Sequence, residues 1–67
     1  MPDNAKILKE ALVSRYEAQY KEATAILSVY YSNAVGIGEH AQIIDEMAKL
    51  VEKAANAKDC LGILSQK

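Results

Sequence analysis

The sequence has little of what usually stabilises or activates a small protein. It contains one cysteine, one histidine, one proline and three glycines, and it has neither tryptophan nor phenylalanine. Because Cys60 is alone, an internal disulfide is excluded, and a single thiol fits a reducing compartment. His40 and Cys60 are 20 residues apart, which matches no zinc-binding spacing. We therefore expect no metal and no cofactor.

The sequence also lacks an excess of either charge and any long hydrophobic run. Eight Lys and Arg residues stand against nine Asp and Glu residues, a net charge of −1. Nucleic-acid-binding domains are usually strongly basic, so binding to nucleic acid is not expected. No apolar run approaches the roughly 18 residues of a membrane span, and Met1 to Lys6 has no signal-peptide core. The sequence thus predicts a cytoplasmic protein that does not enter a membrane.

What is present favours helices. Of the 67 residues, 51% are hydrophobic, and residues 3–32 contain no glycine or proline. Asp3 or Asn4 is a suitable N-cap for a first helix. Two of the three glycines then fall in a short segment before a second apolar stretch. The sequence predicts one all-α domain over 1–67, with helices at about 3–32 and 40–64 and a loop at about 33–39.

Both predicted helices carry an apolar stripe with heptad spacing. In the second helix the stripe steps by four and three residues without interruption, and in the first it does so from Tyr16 onward. At the start of the first helix, Leu8, Leu12, Tyr16 and Tyr20 step by four. The predicted core of the oligomer is Tyr16, Tyr20, Leu27, Ile43, Met47, Leu50, Ala54, Ala57, Leu61 and Leu64.

A short loop between two long helices predicts an antiparallel hairpin. A domain of this size buries only about 60% of its unfolded surface and usually needs additional support. Without a disulfide or a metal, that support is expected from a second copy. The sequence therefore predicts a homodimeric four-helix bundle, with a larger helical oligomer as the alternative. The relative direction of the two hairpins stays open at this point.

The loop supplies the candidate binding residues. Gly36-Ile37-Gly38 before a helix could present N–H groups to an anion, or the two glycines could simply turn the chain. No residue pattern for nucleophilic or acid–base catalysis is present. The first hypothesis is a non-enzymatic protein whose contacts with another protein use Tyr31, Val35, Ile37, Glu39 and His40. The alternative is a small-ligand or anion-binding protein, or an enzyme, with a site at the loop and dimer interface.

The segment Asn33-Ala34-Val35-Gly36-Ile37-Gly38-Glu39-His40 and the following Ile43-Ile44-Asp45-Glu46-Met47 resemble a group of short uncharacterised proteins of tailed bacteriophages, including phages of cyanobacteria. The resemblance covers about residues 26–61. Members of the group often have Pro where this chain has Ala41, which would make His40 the N-cap. The resemblance implies a helical hairpin and a viral accessory protein in the cytoplasm of an infected bacterium. It implies no particular activity.

Overall fold

The chain forms two helices. The computed structural model describes residues 3–32 and 41–66. Helix α1 runs over Asn4–Ser32 and helix α2 over Ala41–Leu64. No strand occurs among the described residues, so the prediction of an all-α helical hairpin is confirmed. The segment 33–40 lies outside the described residues.

Asp3 caps the start of α1. Its carboxylate Oδ1 accepts hydrogen bonds from the backbone N–H groups of Ala5 at 3.0 Å and Lys6 at 3.4 Å. The first turn of a helix has no internal partners for these groups, so the cap supplies them. The backbone N–H of Ile7 then donates to the carbonyl oxygen of Asp3 at 3.1 Å. Of the two N-cap residues that the sequence allowed, the structure uses Asp3.

Two polar contacts between the helices show that they are antiparallel. Lys53 Nζ lies 3.0 Å from Glu22 Oε1, and Tyr30 Oη donates to Glu46 Oε2 at 2.7 Å. In each contact the two residue numbers add up to 75 or 76. This constant sum fixes the register. Each residue of α1 lies level with the residue of α2 whose number brings the sum to 75 or 76. Tyr20, for example, is level with residues 55–56, between the small side chains of Ala54 and Ala57.

Few side chains are buried between the helices. Ala23, Leu27, Ala54 and Ala57 form the buried core of the hairpin. Other residues in the stripe are half-buried along both helices, whereas Tyr20 is exposed. The half-buried stripe residues are Val13, Tyr16, Tyr30, Ile43, Met47, Leu50, Leu61 and Leu64. These burial classes are those of a single hairpin. They do not test which residues an oligomer would bury, so the predicted oligomer core stays a prediction.

The hairpin is a narrow rod. It measures 56 × 16 × 14 Å and has a radius of gyration of 15.9 Å. A compact domain of 67 residues would have a radius of gyration of about 11 Å. Two side-by-side helices make one layer, so each helix has a neighbour on one side only.

The two helices differ in length, and α1 extends beyond α2. In the observed register, Leu64 at the end of α2 lies level with residues 11–12 of α1. Residues 4–11 therefore continue for about 12 Å past the end of α2 at 1.5 Å per residue. We call this part of α1 the overhang. Its apolar side chains, Ile7 and Leu8, are both exposed.

Candidate functional site

The candidate binding residues from the sequence fall largely in the connection between the helices. Tyr31 is in the last turn of α1 and is exposed. Val35, Ile37, Glu39 and His40 lie outside the described residues, as does the Gly36-Ile37-Gly38 segment. The proposal that these residues form a site therefore stays a prediction.

The described helices contain no ready-made polar site. No group of three or more His, Cys, Asp or Glu side chains in residues 3–32 and 41–66 is arranged to hold a metal ion. Within the same residues, no buried side-chain nitrogen or oxygen lacks a hydrogen-bond partner. Cys60 is half-buried and unpaired. Neither described helix has an apolar stretch long enough to cross a membrane.

The polar contacts between the helices share one long side of the hairpin. Besides the two contacts that set the register, this side contains a shallow groove of about 290 Å³, lined by Ile26, Tyr30, Glu46, Lys49, Leu50 and Lys53. We call it the linked side. Among the described residues, one ion pair and one hydrogen bond join the helices on this side, so covering it would also mean desolvating these charges.

The Tyr30–Glu46 contact stabilises the protonated form of the Tyr30 phenol. The phenol O–H donates a hydrogen bond to the Glu46 carboxylate, and this hydrogen bond raises the pKa of Tyr30 above its ordinary value. Partial burial and the negative charge of Glu46 act in the same direction. Ionisation of Tyr30 would remove the donated hydrogen bond and place two negative charges side by side. The phenol therefore serves as a hydrogen-bond donor in the hairpin.

The opposite long side carries an apolar stripe on α2. On α2, the residues Ile44, Ala48, Val51 and Ala55 step by four, three and four, one position after the stripe that faces α1. This spacing forms a second stripe about 100° around the same helix. All four residues are exposed, Ile44 to 67% and Val51 to 49%. We call the side that contains this second stripe the open side.

Helix α1 contributes Glu17, Thr24 and Tyr31 to the open side, one residue every two turns. The hydroxyl of Thr24 donates to the backbone carbonyl oxygens of Tyr20 at 2.9 Å and Lys21 at 3.2 Å. That hydroxyl is thus satisfied within its own helix and needs no partner from outside. Within the described helices, no hydrogen bond or ion pair links α1 and α2 across the open side.

The sequence contained a signal for the open side that the main stripe obscured. From the sequence alone, Ile44, Val51 and Ala55 only flank the stripe that faces α1. Their own heptad spacing becomes meaningful only when the register shows which residues α1 covers. The linked side had no such signal, because Glu46 and Lys53 are ordinary charged residues until the register brings Tyr30 and Glu22 opposite them.

Comparison of the chain with known protein families, curated proteins and solved structures finds no significant match. Any function must therefore be inferred from the residues of this chain and their arrangement.

Proposed function

We propose that this chain is a non-enzymatic interaction protein that acts as a homodimer. Two hairpins pack into a four-helix bundle, and the bundle binds another protein. The observation that supports this proposal is the large amount of apolar surface that one hairpin leaves exposed. Ten large hydrophobic side chains among the described residues are exposed, and no large side chain there is fully buried.

The surface area gives this observation a scale. The chain exposes 5500 Å², whereas a compact monomer of 7.3 kDa exposes about 4,200 Å². The excess is about 1,300 Å². A standard protein interface covers about 800 Å² of each partner, and one long side of a rod 56 Å by 16 Å offers roughly 900 Å². A second hairpin on one side would thus cover most of the excess.

We further propose that the protein is a viral accessory protein acting in the cytoplasm of an infected bacterium. This part of the proposal is supported by the resemblance of the connecting segment to short bacteriophage proteins. The connection then supplies the contacts to a host or viral protein through Val35, Ile37, Glu39 and His40. Tyr31 stands next to this segment at the end of α1.

Static light scattering on a sizing column tests the homodimer. Scattering reports mass independently of shape, which matters because a rod of this length elutes earlier than a compact protein of equal mass. The expected mass is twice 7.3 kDa over a range of protein concentrations. A mass of 7.3 kDa at the highest concentration would refute the homodimer.

The partner contact is tested by affinity capture from a lysate of the host bacterium. Wild type is compared with Ile37→Asp, which places a charge in the connection, and with Ile63→Asp, which places the same charge on an exposed residue of α2. We expect a protein that wild type and Ile63→Asp retain and Ile37→Asp loses. Retention of no protein by wild type would contradict the binding role.

A further inference from the structure

We infer that the second copy packs on the open side and that the two hairpins point the same way, with their connecting segments at the same end of the bundle. This inference rests on the proposed homodimer and specifies its geometry. In this arrangement, α2 of each copy lies against α1 of the partner subunit. The two-fold axis then runs parallel to the helices.

The open side has three levels along its length. The register brings Tyr31 level with Ile44, Thr24 level with Val51, and Glu17 level with Lys58, because each pair of residue numbers adds up to 75. The side chains at the level nearest the connection are apolar, those at the middle level are small and β-branched, and those at the far level are charged. Successive levels are seven residues apart, so Thr24 and Val51 lie midway between the two ends.

The order of these three levels distinguishes the two possible arrangements of the dimer. When the connections share one end, each level meets its own copy, and Tyr31 and Ile44 pack against Tyr31 and Ile44. When the connections are at opposite ends and the two-fold axis crosses the middle level, Tyr31 and Ile44 pack against Glu17 and Lys58. The second arrangement removes charged groups from water against apolar side chains, which is unfavourable. The first arrangement buries apolar surface against apolar surface.

Charge complementarity at the far level favours the same arrangement. Glu17 and Lys58 are exposed, and within the described residues neither forms an ion pair. With the connections at one end, Glu17 of each copy comes beside Lys58 of the partner subunit. Four charges of alternating sign then surround the bundle axis at one level, and each has two neighbours of opposite sign.

The acidic edge of α2 disfavours the opposite arrangement. Asp45, Glu52 and Asp59 recur every seven residues at the edge of the open side. If the connections were at opposite ends, α2 would lie beside α2 of the partner subunit. Glu52 would then face its own copy, and Asp45 would face Asp59. With the connections together, this edge lies beside α1 of the partner subunit and no longer beside its own copy.

Small residues and satisfied polar groups make the open side suitable for close packing. Ala48 and Ala55 separate the larger side chains of the second stripe, so a neighbouring helix can approach between them. The Thr24 hydroxyl already bonds to its own helix, so burying it leaves no unpaired donor. The linked side lacks these properties, because Glu22, Lys53 and Lys49 would be desolvated there.

The distance between two identical spin labels distinguishes the arrangements. Ala11 is exposed and lies 13 residues from Thr24, or about 20 Å along the helix axis. The variant Ala11→Cys in a Cys60→Ser background accepts one label per chain. With the connections together, the labels are at the same level, separated by the bundle width of roughly 15–30 Å including the label arms. With the connections at opposite ends, their separation is about 40 Å or more.

Two matched substitutions test which side is used. Ile44 lies on the open side and Ile63 lies outside it, and their exposure is almost equal, 67% and 66%. Glutamine replaces each isoleucine in turn. A charged substitute would interact with the helix dipole differently near the two ends of α2, whereas an uncharged side chain would not. Ile44→Gln should raise the dimer dissociation constant about a hundredfold, because each dimer loses two buried aliphatic side chains at about tenfold each, and Ile63→Gln should raise it less than about threefold.

Each outcome has a separate meaning. A dimer with the short label distance and selective weakening by Ile44→Gln supports the inference. A dimer with a distance of about 40 Å overturns the shared end and leaves the homodimer standing. A dimer weakened equally by both substitutions, or only by Ile63→Gln, overturns the open side. A chain that stays at 7.3 kDa in light scattering refutes the homodimer itself.

Discussion

Three leucines on α1 give a graded test of the register. Leu27 is 7% exposed, Leu12 44% and Leu8 65%. Replacing leucine by alanine removes three carbon atoms, worth about 2.4 kcal/mol at 0.8 kcal/mol each when fully buried. Scaled by burial, the loss is about 2.2 kcal/mol for Leu27, about 1.3 for Leu12 and about 0.8 for Leu8. Incomplete collapse of the cavity raises the value for Leu27 to about 3 kcal/mol.

Denaturant unfolding followed by circular dichroism measures these differences. All variants need the same chain concentration, because dimerisation makes apparent stability depend on it. In thermal unfolding, Leu27→Ala should lower Tm by roughly 10–20 °C and Leu8→Ala by less than about 6 °C. If Leu8→Ala were as destabilising as Leu27→Ala, the first turns of α1 would have to be packed, and the overhang and the register that defines it would be wrong.

Three further predictions follow from single contacts. Asp3→Ala removes the cap of α1 and should cost about 1 kcal/mol in unfolding free energy by denaturant titration. Glu22→Gln breaks an ion pair whose partner side chains are 39% and 61% exposed, so it should cost less than about 1 kcal/mol, and the difference should vanish in roughly 1 M salt. The pKa of Tyr30 is raised above its ordinary value, and Glu46→Ala should lower it, as read from the NMR chemical shift of the Tyr30 ring against pH. Since folding favours the protonated phenol, its contribution to stability is complete below the unfolded pKa and is lost as pH rises through the folded pKa.

The second helix shows what sequence periodicity can predict. Its main stripe, from Ile43 to Leu64, is the stripe that faces α1, because a run of seven correctly spaced apolar residues fits one helix face only. The composition also favoured helices, since residues 3–32 contain no glycine or proline. The helical hairpin therefore followed from the sequence.

The first helix shows where periodicity becomes ambiguous. Leu8, Leu12, Tyr16 and Tyr20 suggested a stripe with steps of four, but Leu8 and Leu12 are exposed and Val13 is half-buried in the interface. The choice between these phases depends on where α2 ends against α1. That position is set by the connection and by cross-helix packing, neither of which is encoded in the local spacing of α1.

The two long sides of the hairpin also differ in how far the sequence could predict them. Heptad spacing alone could have revealed the second stripe on α2 at Ile44 and Val51. The contacts of Tyr30 with Glu46 and of Glu22 with Lys53 could not be predicted. The first joins residues 16 positions apart and the second residues 31 positions apart, and both depend on the register. Such a contact changes completely when one helix slides by a single turn.

The overhang of α1 has a consequence for how the chain opens. Isolated helices shorter than about 12–15 residues are only marginally stable in water, and residues 4–11 have no neighbour in α2. They are helical because the packed part of α1 provides the nucleus and Asp3 closes the end. These two turns can fray without disturbing Ala23, Leu27 or Ala57. Amide hydrogen exchange should therefore be fastest at the amino end of α1 and slow progressively towards Ala23, and proteolytic trimming of the overhang should leave the remaining hairpin folded.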